Sequence, residues 1–171
     1  MNVIAAVFER LRKSVERKGM VVLRISVGVI FFWFGFLKFF GNTSSAESIA
    51  SKTISWLTYG FMDAEISMPV LAVLECIIGI GILTKKYMEY VIPIMYFQMA
   101  GTLLPLFIFC GETWKSPFVP TLEGQYIIKN AVLISAGIVL GAVAKGGKLI
   151  HDPEVAQKAK NVEHKKEQNE A

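Results

Sequence analysis

Four long apolar runs constrain the fold of this chain more than any other feature. Each is about 18–21 residues long, which as a helix rising about 1.5 Å per residue is enough to cross ~30 Å of hydrocarbon. Four such helices in 171 residues would leave no amphipathic partners to cover them in a soluble protein. Because only helices satisfy every backbone group within a segment in lipid, the sequence predicts an all-α, four-helix transmembrane bundle. The runs cover residues 20–40, 66–83, 91–110 and 126–144, within a membrane domain of residues 20–144.

The composition supports this class of protein and excludes several others. The chain is 53% hydrophobic and 19% charged, whereas soluble domains average about 45–50% apolar and about 25% charged residues. Two cysteines and two histidines are too few for a disulfide scaffold and make a zinc site improbable. Both histidines, His151 and His164, follow the last run, so no bis-histidine haem can lie within the bundle. The sequence also contains no nucleophile–base pair, P-loop or metal cluster, which favours a protein that is not an enzyme.

The basic residues predict the orientation of the bundle. Five lie in residues 1–19, two in the second loop at Lys85 and Lys86, and six in residues 145–171. The two opposite loops contain only Lys52 and Lys115. Cytoplasmic loops carry the excess of Lys and Arg, so both termini are expected in the cytoplasm. The net charge of +4 then reflects orientation, and no nucleic-acid partner is needed to explain it.

The segments that flank the first run have helical patterns of their own. Residues 1–19 place apolar side chains on one face and basic side chains opposite, which predicts a cytoplasmic amphipathic N-terminal helix in the membrane interface. A simple orientation signal explains the same pattern equally well. In the outer loop, Ser44 and Glu47 have capping-box spacing before an apolar stripe. We expect a short extracytoplasmic amphipathic helix there, anchored by Trp56 and Tyr59.

The C-terminal segment, residues 145–171, changes in composition to Lys, Glu, Gln and Asn. Such a segment has few apolar side chains to bury. The sequence therefore predicts a basic, disordered cytoplasmic tail.

Six polar side chains interrupt the apolar runs. A charge at the bilayer centre costs roughly 2.5–3.5 kcal/mol on translocon scales, so such residues normally face the bundle interior and pair there. Most of them share a helix face with glycine or other small residues, as in the close-approach pattern of Gly137 and Gly141. We therefore expect a polar centre and a candidate ligand-binding cluster. Its candidate residues are Arg24, Lys38, Glu75, Gln98, Lys129 and Asn130.

Depths counted from the cytoplasmic edge suggest how these side chains pair. Arg24 lies at about 6 Å, Glu75 and Gln98 at about 12–14 Å, Lys129 at about 22 Å and Lys38 at about 27 Å. We expect Arg24 and Lys129 to extend toward Glu75, and Lys38 to extend to the outer interface. The surplus positive charge would suit an anionic or carbonyl-bearing ligand. The alternative is a purely structural Arg24–Glu75 pair with both lysines at the lipid surface.

The third run contains a proline. Pro105 cannot donate a hydrogen bond to the carbonyl of Gly101, which predicts a kink and a free acceptor on the side of the helix that carries Gln98.

Four segments of the membrane domain together resemble a known family. They are Arg24–Phe40, Leu71–Leu83, Gln98–Leu106 and Thr121–Gly141. With their awkward polar residues included, they resemble the DoxX family of small bacterial membrane proteins and the related YkgB-like group, over about Val21 to Gly147. The resemblance implies a four-helix bundle in the cytoplasmic membrane. It also implies a link to quinone-linked sulfur oxidation or oxidative stress, although most members have no assigned activity.

Three functions are open on these observations. The first is a non-catalytic subunit or adaptor of a quinone-linked or stress-related system, in which Gln98, Lys129 and Asn130 would bind a quinone or small anion. No other cofactor is suggested, and the partners would be the lipid bilayer, a membrane redox protein or a second copy. The second is a small transporter or channel for a proton or weak acid. The third is a purely structural membrane partner in which the charges only determine helix register.

Overall fold

The computed structural model describes residues 3–40 and 47–144. Seven helices and one two-stranded antiparallel ribbon make up this part of the chain. The helices are α1 (Val3–Leu37, followed by a 3-10 turn at Lys38–Phe40), α2 (Glu47–Leu57), α3 (Ala64–Thr84), α4 (Met88–Leu103), α5 (Pro105–Ile108), α6 (Cys110–Thr113) and α7 (Leu122–Ala144). The ribbon pairs β1 (Trp114–Ser116) with β2 (Val119–Pro120).

Four stretches of the described chain are helical, long and apolar enough to cross a membrane. The protein is therefore a multi-pass membrane protein, and the prediction of an all-α four-helix bundle is confirmed. Three of the helices start two to four residues before the predicted runs, because their first turns are polar and contain Glu65, Glu89 and Glu123. At α3, for example, the Asp63 side chain accepts a hydrogen bond from the amide of Ile66 at 3.2 Å. The stretches are Lys18–Phe40, Ala64–Thr84, Met88–Ile108 and Leu122–Ala144.

The helices α1 and α3 pack against each other in antiparallel directions with very little space between their backbones. A Cβ atom added to Gly79 would lie 2.5 Å from the backbone nitrogen of Phe32, and one added to Gly35 would lie 2.8 Å from the Cβ of Glu75. Small residues permit such backbone approach in membrane helices, where dispersion contacts rather than the hydrophobic effect hold helices together. These two glycines therefore set the register of α1 along α3.

The remaining two spans complete a common apolar core. Helix α4 packs on α7, where Gly137 faces Met95 and Gly141 faces Ile92. The predicted close-approach face of α7 is thus confirmed, and α4 covers it. The core side chains are Val27, Phe31, Ile78, Ile82, Met88, Val91, Ile92, Met95, Met99, Ala136 and Leu140. The opposite faces expose large apolar groups such as Trp33 and Phe97, as expected of helices that contact lipid.

The third span is interrupted at the predicted proline. Helix α4 ends at Leu103 and α5 begins at Pro105. The carbonyl of Gly101 is not free, however, because the amide of Leu104 donates to it at 3.3 Å in a tighter turn. The helix is thus interrupted where the kink was predicted, and the prediction of an unused acceptor is wrong.

The N-terminal segment is helical, as expected, and it is not a separate element. Helix α1 runs without a break from Val3 into the first span. Nothing in the backbone divides an interfacial helix from a spanning helix at residues 18–20. Ser44 of the predicted capping box and the whole tail at 145–171 lie outside the described residues.

The short elements form one end of the bundle, which we term the hairpin end. The predicted helix of the first loop is present as α2. It is joined to α6 by an ion pair between Lys52 and Glu112, with Nζ and Oε2 2.8 Å apart. The Trp114 indole of β1 donates to the carbonyl of Leu106 at 3.0 Å. The opposite end, at the turn between α3 and α4, is termed the Lys85 end.

Candidate functional site

Three polar side chains from three different elements meet inside the bundle, and we term them the Glu75 cluster. Lys38 Nζ lies 2.6 Å from Glu75 Oε2, and Gln98 Nε2 donates to Glu75 Oε1 at 2.9 Å. Lys38 follows α1, while Glu75 and Gln98 belong to α3 and α4. Glu75 and Gln98 are each only 6% exposed. Each carboxylate oxygen thus receives one hydrogen bond in a nearly water-free position.

The position of Lys38 differs from the expected one. It follows Gly35 by three residues, and Gly35 lies directly against Glu75. The Lys38 side chain turns back along its own helix, so that Nζ is also 3.4 Å from the carbonyl of Phe34. The predicted depth of Lys38 holds only if all four apolar runs start in one plane. In the structure, the contacts of Gly35 and Gly79 displace α1 along the axis of α3. The expected extension of Lys38 to the outer interface is therefore not seen.

Arg24 binds the end of α3 rather than Glu75. Its Nη1 atom donates to the carbonyl of Ile82 at 3.0 Å and to that of Leu83. The last four carbonyls of a helix lack partners within the helix, and a basic side chain can satisfy them. The same register explains this position, because Gly28 faces Leu83 and Arg24 lies one turn further toward the Lys85 end. The expected contact between Arg24 and Glu75 is not formed.

Lys129 and Asn130 also lie apart from the cluster. Lys129 is exposed on α7, with Nζ 5.2 Å from the centre of the Tyr126 ring. This distance is that of a cation–π interaction. Asn130 is half-buried, and its side chain makes no hydrogen bond to any described residue. The structure thus brings Lys38, Glu75 and Gln98 together, and the ligand-binding role of all six candidates stays a prediction.

The charges of the cluster balance, which the sequence analysis did not anticipate. One lysine contacts one carboxylate, and the other two intramembrane cations have different partners. The expected surplus of positive charge around Glu75 is therefore absent from the described residues. A small anion gains little from such a neutral group.

One polar atom of the cluster has no partner. The Gln98 Oε1 atom is buried and accepts no hydrogen bond from the described residues. An unsatisfied buried acceptor costs about 1–3 kcal/mol, so such an atom calls for an explanation. The sequence contained a signal for this arrangement, since Gln98 and Glu75 were expected at equal depth. It contained no signal for the free oxygen.

On the side that faces the Lys85 end, the Glu75 cluster is bounded by apolar side chains. The side chains packed there are apolar, among them Ile78 and Ile82 of α3 and Met95 of α4. Across the described residues, no group of three His, Cys, Asp or Glu side chains could hold a metal ion. The cluster is thus a polar site that apolar side chains bound on the side of the Lys85 end.

No family model, no curated protein and no solved structure matches this chain. The resemblance to the DoxX family consequently stays a prediction from the sequence.

Proposed function

We propose that this protein is a non-catalytic, DoxX-type membrane subunit whose Glu75 cluster binds the head group of a quinol or quinone within a redox or oxidative-stress system. The observation that carries the proposal is the free, buried Gln98 Oε1 atom. A hydrogen-bond donor from outside the described residues would satisfy this atom. A quinol head group offers a hydroxyl donor on a lipid-soluble ring.

The cluster also has a donor for the oxidised form of the ring. An ammonium group carries three N–H bonds. Lys38 directs one toward Glu75 at 2.6 Å and a long one toward the Phe34 carbonyl at 3.4 Å. The third remains for a quinone carbonyl. In the quinol form, a ring hydroxyl would donate to Gln98 Oε1. In the quinone form, a ring carbonyl would accept from Lys38 Nζ.

The charge balance favours a neutral ligand over an anion. Lys38 and Glu75 already neutralise each other, and bringing a further charge into the bilayer would cost several kcal/mol, roughly 2.5–3.5 on translocon scales. Of the two ligand classes suggested by the sequence, small anions and quinones, the neutral quinone ring therefore suits the Glu75 cluster better.

The geometry supports binding better than conduction. A proton or weak-acid path must reach both ends of the bundle, and the described side chains between Glu75 and the Lys85 end include the apolar Ile78, Ile82 and Met95. A polar cluster that extends through only part of the bundle can bind a head group without such a path. No described residue therefore favours the transporter hypothesis. The binding test distinguishes a ligand-binding cluster from a purely structural one.

The test is the binding of a short-chain ubiquinol to the full-length protein in detergent, followed by calorimetry. Gln98→Leu removes the free acceptor, and Gln125→Leu makes the same change at an exposed position of α7. We expect Gln98→Leu to weaken binding about tenfold, as for the loss of one buried hydrogen bond. Gln125→Leu should bind like the unmodified protein.

Two results would contradict the proposal. Equal affinities of the two variants would remove Gln98 from the site. Failure of the unmodified protein to bind, together with a lower melting temperature of Gln98→Leu, would show that the cluster is a structural feature only.

A further inference from the structure

A cavity lies at the Lys85 end of the bundle and is separate from the Glu75 cluster. Its volume is about 190 Å³, and α1, α4, α7 and the turn after α3 contribute to its wall. Two cations, Arg24 and Lys85, line it together with apolar side chains such as Met20, Leu140 and Val143. The described residues of this wall include no acidic side chain. The cavity is therefore positively charged on one side and apolar on the other.

Arg24 has donors left for a ligand. A guanidinium group carries five N–H bonds, and within the described part of the chain only Nη1 of Arg24 is used, on the carbonyls of Ile82 and Leu83. The Nε atom has no partner among the described residues. The two carbonyls also hold the guanidinium in place, so a ligand would meet a donor that is already oriented.

Lys85 occupies a position at which its residue type is unusual. It ends α3 with a left-handed backbone, φ 59°, a conformation usually given to glycine or asparagine. The backbone of Lys85 is strained in this conformation, because its side chain has a Cβ atom. The side chain is exposed and makes no hydrogen bond to a described residue. Backbone strain of this kind is often retained where the side chain serves a function.

The start of α4 adds a third favourable feature. Met88, the first residue of this helix, also lines the cavity, and the helix has no side-chain cap. The first amides of a helix attract anions, and the acidic Glu89 of the same turn lies outside the cavity wall.

We propose that this cavity binds the phosphate of an anionic phospholipid. Arg24 and Lys85 contact the phosphate oxygens, and Met20, Leu140 and Val143 contact the glycerol and the first methylene groups. The cavity lies at the end of the apolar spans, which is the depth of the lipid head groups. Basic pockets between membrane helices on the cytoplasmic side suit anionic head groups, and the sequence predicts the cytoplasm at this end. The site is independent of the Glu75 cluster and of the function proposed for it.

The test is native mass spectrometry of the full-length protein in detergent with added phosphatidylglycerol, and with phosphatidylcholine as the lipid control. Lys85→Asn removes the charge but keeps a residue that tolerates the left-handed backbone. Lys86→Asn is the matched control, because it makes the same change one residue outside the cavity wall. We expect Lys85→Asn to weaken phosphatidylglycerol binding about fivefold, which corresponds to ~1 kcal/mol per basic residue near a membrane surface.

Lys86→Asn should change the affinity by less than about twofold, and phosphatidylcholine should bind more weakly than phosphatidylglycerol. Equal losses in the two variants would show a general surface charge effect and overturn the proposal. Equal binding of the two lipids would overturn it as well. Displacement of the lipid by millimolar inorganic phosphate or glycerol phosphate would assign the cavity to a soluble phosphate compound instead.

Discussion

Lys38 Nζ lies 2.6 Å from Glu75 Oε2, although the two residues come from different elements and are 37 positions apart in the chain. Their side chains are 15% and 8% exposed. A buried ion pair contributes little net stability compared with apolar groups of equal volume, but loss of one partner leaves a buried charge uncompensated. The pair therefore matters most when one member is removed.

Lys38→Met should lower the free energy of unfolding by about 3–5 kcal/mol, because the buried carboxylate of Glu75 would lose its ion-pair partner. The double variant Lys38→Met/Glu75→Leu should regain most of this loss. Titration of the purified protein with a denaturing detergent measures both values. Lys129→Met, the same change at an exposed lysine, should cost no more than about 1 kcal/mol, the value of its cation–π contact. A double variant as unstable as the single one would contradict the argument.

Gly79→Ala should destabilise the bundle by about 1–3 kcal/mol, as overpacking does in tightly packed cores. The added methyl group would lie 2.5 Å from the backbone nitrogen of Phe32, which cannot move without shifting α1. Gly101→Ala is the control, since a Cβ there meets nothing within 4 Å. That change should be neutral or stabilising by up to about 1 kcal/mol through helix propensity. Melting temperatures of the two variants in the same detergent decide the matter, and equal values would refute the close contact.

Trp114→Phe should cost about 0.5–1.5 kcal/mol through loss of one hydrogen bond. The indole nitrogen of Trp114 donates to the carbonyl of Leu106 at 3.0 Å and holds the ribbon onto the end of the third span. Trp33→Phe makes the same exchange at a side chain that is 60% exposed and should leave stability unchanged. The free energy of unfolding checks this prediction, and an equal effect of the two changes would argue against the role of the hydrogen bond.

The predicted orientation can be tested with two single cysteines in a chain that lacks Cys76 and Cys110. Lys115→Cys lies at the hairpin end and Lys86→Cys at the Lys85 end. A membrane-impermeant maleimide should label Lys115→Cys in intact cells, and Lys86→Cys only after the membrane is opened. The positive-inside rule gives this expected result. The reverse labelling pattern would place both termini outside.

The sequence predicted those features of the fold that depend on local pattern. The four spans follow from apolar length, the interruption follows from Pro105, and the covered face of α7 follows from Gly137 and Gly141. The ribbon from Trp114 to Pro120 was not predicted, because strands of three and two residues are too short to show alternation.

The candidate site was predicted only in part, for a reason that lies in helix register. The contact of Gln98 with Glu75 agrees with their equal predicted depth. The partners of Arg24 and Lys38 depend on how far α1 slides along α3, and Gly35 and Gly79 determine this slide through contacts between residues distant in the chain. Depths predicted by counting residues along each helix separately contain no information about how one helix is displaced along another.

The unbroken course of α1 has a mechanical consequence. Its 35 residues form a rod about 52 Å long, roughly 20 Å longer than the hydrocarbon layer that it crosses. Tilting or twisting the protruding part would be transmitted along the rod to Gly35 and the lysine one turn beyond. Binding of another molecule to residues 3–17 would therefore move Lys38 relative to Glu75.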